Sequence, residues 1–407
     1  MGFLDAYRVI DFTNERGLLA GRMLADLGAD VVQVEPPEGS SARRVPPLSP
    51  DGTSLYWDAY AANKRGVTCD LDRPEGREQA MRLCAGADFV FESEAPGTMA
   101  RRGLGYEDIR AVNPRIVYAS ITAFGSDGPK SGYADTDLVV WAAGGPLFAH
   151  RDGDRPPLRI SVPQAYLQAA ADAAGGALVA HIARRRTGLG QHVDVSASQS
   201  VTQATLSRIL ATAVGDPQGS HMVAPDRGDG RLDQSGSGAG TTRTKWRVRD
   251  GYVALHLALG PAAGQFTNNL FAWIRAEGMG DDRLAALDWR RVPALVAAGE
   301  LDPGELERAR DVVAEFLAGR TKAEVLAASL ARRLLAAPVQ TVADVAESPQ
   351  FEARRFWVEL GDGERHRVLP GPFAQVNADA FVFRRPAPRL GEHNAEVFGE
   401  LLGLSRA

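Results

Sequence analysis

Arginine supplies nearly all the positive charge of this 407-residue chain, since lysine stands only at positions 64, 130, 245 and 322. A guanidinium group suits planar contact with phosphate and carboxylate, and Arg43 and Arg44 in a Pro- and Ser-rich loop are placed to reach a phosphate. Arginine serves a solvated surface equally well, so residue type alone leaves both readings open. Other chemistries find less to work with. The seven histidines are scattered, with no H-E-x-x-H and no i, i+4 pair, so a metal site is not expected. No G-x-S-x-G elbow is present, and Ser161 or Ser196 with the distant His393 is too common a coincidence to name a triad. No G-x-G-x-x-G opens the first helix, which sets dinucleotide binding aside. Cys69 and Cys84 lack metal spacing and a disulfide framework, and are expected to be buried thiols in a reducing compartment.

These side chains need elements to position them. The passage from Pro157 to Ser196 runs loop, helix, basic turn and strand without a break. Ser161 and Gln164 have capping-box spacing and Pro163 presets φ, so a helix is predicted to begin here. Leu167, Ala171, Ala174, Leu178 and Ile182 recur at helical spacing, and Ala169, Ala170, Gly175 and Gly176 between them admit another backbone closely. Arg184, Arg185 and Arg186 complement the negative end of the helix dipole, after which Thr187 to Gly190 turn the chain into a strand from His192 to Val195. Nearer the N-terminus, a strand from Arg8 to Thr13, a helix through Arg22 to Leu27 and a strand from Asp30 to Val34 form a βαβ unit. A right-handed crossover puts both strands in one parallel sheet, with the ligand side at their C-terminal ends. Residues 1–214 read as the first part of a large α/β domain, 215–244 as a glycine-rich linker, 245–331 as a smaller domain, and 332–407 as a return segment that completes the large one.

Bulk properties narrow the classes further. Apolar content of 44% and charged content of 24% are ordinary for a globular protein, and a net charge of -5 gives no support for a nucleic-acid partner. The first residues lack a charged head followed by an apolar run, and no window approaches the length of a membrane span. A cytoplasmic enzyme without a membrane partner is the expectation.

The run P-x-R at 157–159, an alanine-rich helix, and then R-x-T-G-x-G-Q-x-V-D-V-S at 185–196 resembles the signature region of the class III CoA-transferases, the superfamily of formyl-CoA transferase, carnitine CoA-transferase and α-methylacyl-CoA racemase. Asp11-Phe12-Thr13, Asn63-Lys64-Arg65, Pro74-Glu75-Gly76 and the closing Pro386 to His393 extend the likeness over nearly the whole chain. The resemblance implies a Rossmann-like large domain, a smaller α+β domain, and a dimer whose subunits interlock like links. It also implies coenzyme A or an acyl-CoA as substrate, a carboxylic acid as its counterpart, and no metal.

The same resemblance assigns site residues. In the family an aspartate at the start of this helix attacks the thioester, and the family's spacing lands here on Tyr166. The racemases' catalytic histidine falls on Thr136, next to the family-like Asp137. Arg16, Asn63, Lys64, Arg65, Pro96, Gly97, Arg101 and Arg102 occupy positions that face CoA in relatives. Ser235 to Gly240, with Gly236, Gly238 and Gly240, resembles the glycine loop over the formyl-CoA transferase site, a flexible linker being the other reading. Asp72 replaces a usual lysine, and Ser93 and Glu94 replace an amide and an aromatic, so weak CoA binding is expected. Asp172 lies six residues beyond Tyr166, about 600° around and about 9 Å along the helix, and so points elsewhere. The expectation that follows is a non-catalytic subunit pairing with an unlike, competent one. The alternative is a stand-alone acyl-CoA enzyme with non-standard chemistry, as a homodimer.

Overall fold

Continuous apolar runs such as Val31-Val32 and Val90-Phe91 suit strands that are covered on both faces, as in a parallel sheet flanked by helices. A computed structural model of the protein describes residues 2–149, 156–206, 209–210, 214, 244–280, 282–361, 363–377 and 380–403. It holds a six-stranded sheet of β1 (Arg8–Asp11), β2 (Asp30–Glu35), β3 (Arg65–Thr68), β4 (Phe89–Glu92), β5 (Val117–Thr122) and β6 (His192–Ser196). The order is β3-β2-β1-β4-β5-β6, and every pair is parallel. This is the doubly wound order expected of a Rossmann-like domain, with its reversal between β1 and β4. Alternate residues feed two cores: Val9, Phe89, Phe91 and Val117 on one face, Ile10, Val32, Val90 and Tyr118 on the other.

The helix Ala165–Thr187 packs on the first of these faces, and it differs from expectation in two ways. Its buried side is the alanine row Ala165, Ala169, Ala170, Ala173, Ala174, Ala177 and Ala180; of the predicted stripe only Ala174 is buried, and Ile182 is 58% exposed. Small residues turn inward because the sheet is close: a Cβ on Gly176 would lie 2.8 Å from Val193 Cγ1. The start of the helix is also different. Gln164 is the N-cap residue but makes no side-chain cap, and the carboxylate of Asp137 accepts the Gln164 and Ala165 amides at 2.9 and 2.8 Å. The predicted Ser161–Gln164 capping box is therefore replaced by a cap from a distant segment, which satisfies the free amides equally well. Gly188 closes the helix at φ 76, a left-handed turn that glycine adopts without strain.

The chain divides into two compact units, Met1–Phe148 with Leu158–Leu206 and Pro349–Ala407, and Ala149–Pro157 with Ser207–Ser348. In the first unit, the C-terminal segment is tied to the edge strand β3: the His393 amide donates to Gly66 O at 2.9 Å and the Thr68 amide to Asn394 Oδ1 at 2.8 Å. The second unit contains a three-stranded antiparallel sheet and helices including Gly260–Ala276, Gly304–Ala318 and Lys322–Arg332, around stacked Phe271 and Trp289 at 4.9 Å. Among the described residues no helix is long and apolar enough to cross a membrane.

Candidate active site

Strand order decides where a site can form. β1, β4 and β5 end side by side around the reversal, and the segments that follow them wall a cleft of about 420 Å³. β1 stops at Asp11 because Asp11 Oδ1 accepts the Thr13 amide at 2.9 Å and the Thr13 hydroxyl at 2.6 Å, which turns the chain two residues before the predicted strand end. Asn14 then joins the segments after β1 and β4: its amide donates to Ser93 Oγ at 3.0 Å, and its Oδ1 accepts the Arg16 amide at 3.1 Å. Arg16 is thereby presented to the cleft, which Glu94, Pro96, Gly97, Tyr133 and Asp135 also line.

At the cleft wall, three side chains meet. The Tyr166 hydroxyl donates a short hydrogen bond to Asp135 Oδ1, and Arg16 Nη2 lies 3.1 Å from the same oxygen. The Arg16 guanidinium carbon is 5.5 Å from the centre of the Tyr166 ring. Burial first, and then the bond to Asp135, push the Tyr166 phenol well above the usual tyrosine range. It is therefore a neutral hydrogen-bond donor at physiological pH. Glu92 is buried at the end of β4, where it accepts the Glu94 amide at 2.8 Å and a hydrogen bond from Ser120. Burial raises its carboxyl to about 7.

The other residues singled out from the sequence fall in four places. Asn63, Lys64 and Arg65 are turned into the framework. Lys64 is fully buried and donates to Asp11 Oδ2, Leu18 O and Gln33 Oε1 at 2.8 to 2.9 Å. Asn63 donates to Asp26 and Val382 O and accepts the Arg384 amide, and Arg65 pairs with Asp30, Glu396 and Glu400. Arg101 and Arg102 lie just beyond the cleft-lining Pro96 and Gly97; Arg101 donates to Thr98 Oγ1, and Arg102 pairs with Asp72 at 2.9 Å. The position where a lysine was expected thus carries the partner of an arginine. Gly236, Gly238 and Gly240 lie outside the described residues. Asp172 is exposed on the helix.

Asp135 was not among the residues the sequence reading singled out. The available signal was the pair of carboxylates around Thr136, of which Asp137 takes the cap of the long helix and Asp135 the cleft.

A family model described as "CoA-transferase family III" matches residues 4–394. The succinyl-CoA:(R)-benzylsuccinate CoA-transferase subunit BbsE of Thauera aromatica is 33% identical over 97% of this chain and 93% of its own length. The succinyl-CoA–L-malate CoA-transferase beta subunit of Chloroflexus aurantiacus is 29% identical over 98% of this chain and 94% of its own. Among solved structures, a CAIB/BAIF family protein from Brucella suis superposes with a TM-score of 0.79 at 27% identity, covering 98% of this chain and 99% of that one.

Proposed function

We propose, from the premise that this chain belongs to CoA-transferase family III, that it takes part in moving CoA between an acyl-CoA thioester and a carboxylic acid as one subunit of a pair with an unlike partner. The observation that carries this reading is Tyr166. At the position where the family resemblance puts a nucleophilic carboxylate stands a phenol that is held neutral and donates a hydrogen bond to Asp135. A neutral phenol is a poor nucleophile toward a thioester, and its ester would replace a mixed anhydride. Two relatives carry the word subunit in their names, which favours a shared assembly.

The surface of the first unit is consistent with an interlocked pair. Val179 at 68% and Ile182 at 58% exposed leave large apolar side chains of the long helix facing out, and a covering subunit would remove them from water. The cleft takes the thioester end of the substrate, with Arg16 as the cation nearest the reacting groups. Arg101 and Arg102 remain the candidates for CoA phosphates, whereas Asn63, Lys64 and Arg65 act through the backbone course they fix.

In its strict form this reading makes the chain non-catalytic, with the carboxylate supplied by the partner. A second form keeps the chemistry in this chain, and one observation favours it: Asp135, a carboxylate in the cleft wall bonded to the Tyr166 hydroxyl. Co-purification from the native host, followed by transfer assays of the chain alone, its partner alone and the complex, tests the shared reading. Transfer by the complex is expected; a complex that neither binds nor exchanges any acyl-CoA would refute it.

A further inference from the structure

We infer that Asp135 is the carboxylate of this chain that accepts the acyl group and then CoA during transfer. The inference rests on the CoA-exchange reading and takes it in its second form.

Asp135 meets the requirements of such a group more fully than any other carboxylate at the cleft. Its side chain is 13% exposed, enough to meet a substrate and too little to be freely hydrated. Oδ1 is held by two donors, the Tyr166 hydroxyl and Arg16 Nη2, while Oδ2 has no hydrogen-bond partner among the described residues. One oxygen is thus oriented and the other is left to attack, the arrangement an activated nucleophile needs. Asp137 is two residues away but is committed to the helix cap and to Arg159 at 3.3 Å. Glu94 also lines the cleft, yet no donor among the described residues orients its carboxylate. Arg16 supplies fixed positive charge beside the reacting centre, where the tetrahedral intermediates carry an oxyanion.

The chemistry balances without any oxidant, reductant or metal. Asp135 Oδ2 attacks the thioester carbonyl, forming a C–O bond and breaking the C–S bond, so that CoA leaves as thiolate and Asp135 carries a mixed anhydride. The thiolate attacks the aspartyl carbonyl and releases the first carboxylate, leaving an aspartyl-CoA thioester. The incoming carboxylate attacks that thioester and expels the thiolate, which then takes the new acyl group and frees Asp135. Tyr166 keeps its proton throughout and serves as a positioning residue.

To test this, the full chain, alone and with any co-purifying subunit, is incubated with acetyl-CoA, succinyl-CoA and a long-chain acyl-CoA, each with its radiolabelled free acid. Label entering the thioester measures exchange, and calorimetry measures binding of the same three thioesters. A borohydride quench reduces an aspartyl-CoA thioester to an alcohol that peptide mass mapping locates. The expected mark is on Asp135. Asp135→Asn is expected to lower exchange by about 1000-fold or more while thioester affinity stays within about threefold. Exchange that survives Asp135→Asn, or a mark found only on another residue or on the partner subunit, overturns the inference and leaves the CoA-exchange reading standing. Absence of both binding and exchange with all three thioesters removes that reading and the inference together. If Asp135→Asn does not fold, mapping of the mark in the unaltered chain decides.

Discussion

Two cation–aspartate pairs near the end of β1 are built from the same chemistry and do opposite work. Lys64 and Asp11 lie 2.8 Å apart with neither side chain exposed, and Arg16 and Asp135 lie 3.1 Å apart at 31% and 13% exposed. Lys64 has three protons to donate and three acceptors around it, and Asp11 Oδ1 is filled by Thr13, so nothing is left for a ligand. Arg16 keeps donors in reserve beside open space, and Asp135 keeps an oxygen. Completeness marks the first pair as framework, and incompleteness beside a cleft marks the second as a candidate site. An N-K-R motif that looks like a phosphate-binding patch in sequence is, in this protein, largely a set of interior struts.

The sharpest way to break this comparison is to remove Lys64. In Lys64→Met the carboxylate of Asp11 stays buried without its cation, and a loss of about 3–5 kcal/mol is expected, read as a lower denaturation midpoint in urea. A midpoint unchanged from that of the parent chain would show that the pair is not a strut. A gentler probe is Gly21→Ala, where the added Cβ would lie 2.0 Å from Asp11 Oδ2 and 3.1 Å from Lys64 Nζ. Forcing the pair apart is expected to cost about 1–3 kcal/mol, again by urea denaturation.

Glu92 adds a third case, a buried carboxylate with hydrogen bonds and no ion pair among the described residues. Its folded-state value of about 7 lies above the 4.5 of an ordinary glutamate, because burial disfavours the charged form. The stability it contributes is therefore complete below about pH 4.5 and is lost as pH rises through about 7. Midpoints measured from pH 4 to 8 should fall less steeply across that window in Glu92→Gln than in the parent chain. Equal slopes would mean that Glu92 ionises as it does in the unfolded chain. The smallest effect on folding is expected from Arg16→Gln, within about 1 kcal/mol because the pair is partly solvated. On the inference that Asp135 reacts beside it, exchange should nevertheless fall about 100-fold or more. A large fall in stability with exchange preserved would place Arg16 with Lys64 among the struts.

Much of the framework was legible from residue order. The alternation of apolar strands with helices announced the parallel sheet, because hydrophobic period and turn chemistry are set by neighbours a few residues away. Gly188 as the end of the long helix followed from the same local logic. The inward face of that helix was misread, since its larger apolar residues suggested a core stripe while the nearness of β6 at Gly176 demanded alanines.

The sequence by itself determined the family and the strand and helix plan. Only the tertiary structure decided which polar groups share a desolvated space. Tyr166 meets Asp135 across 31 residues of chain, and Asp137 caps a helix that starts 28 residues later. Lys64 reaches Asp11 across 53. No local pattern encodes such meetings, because they depend on the strand order that brings the ends of β1, β4 and β5 together, and on burial that makes each unpaired charge costly.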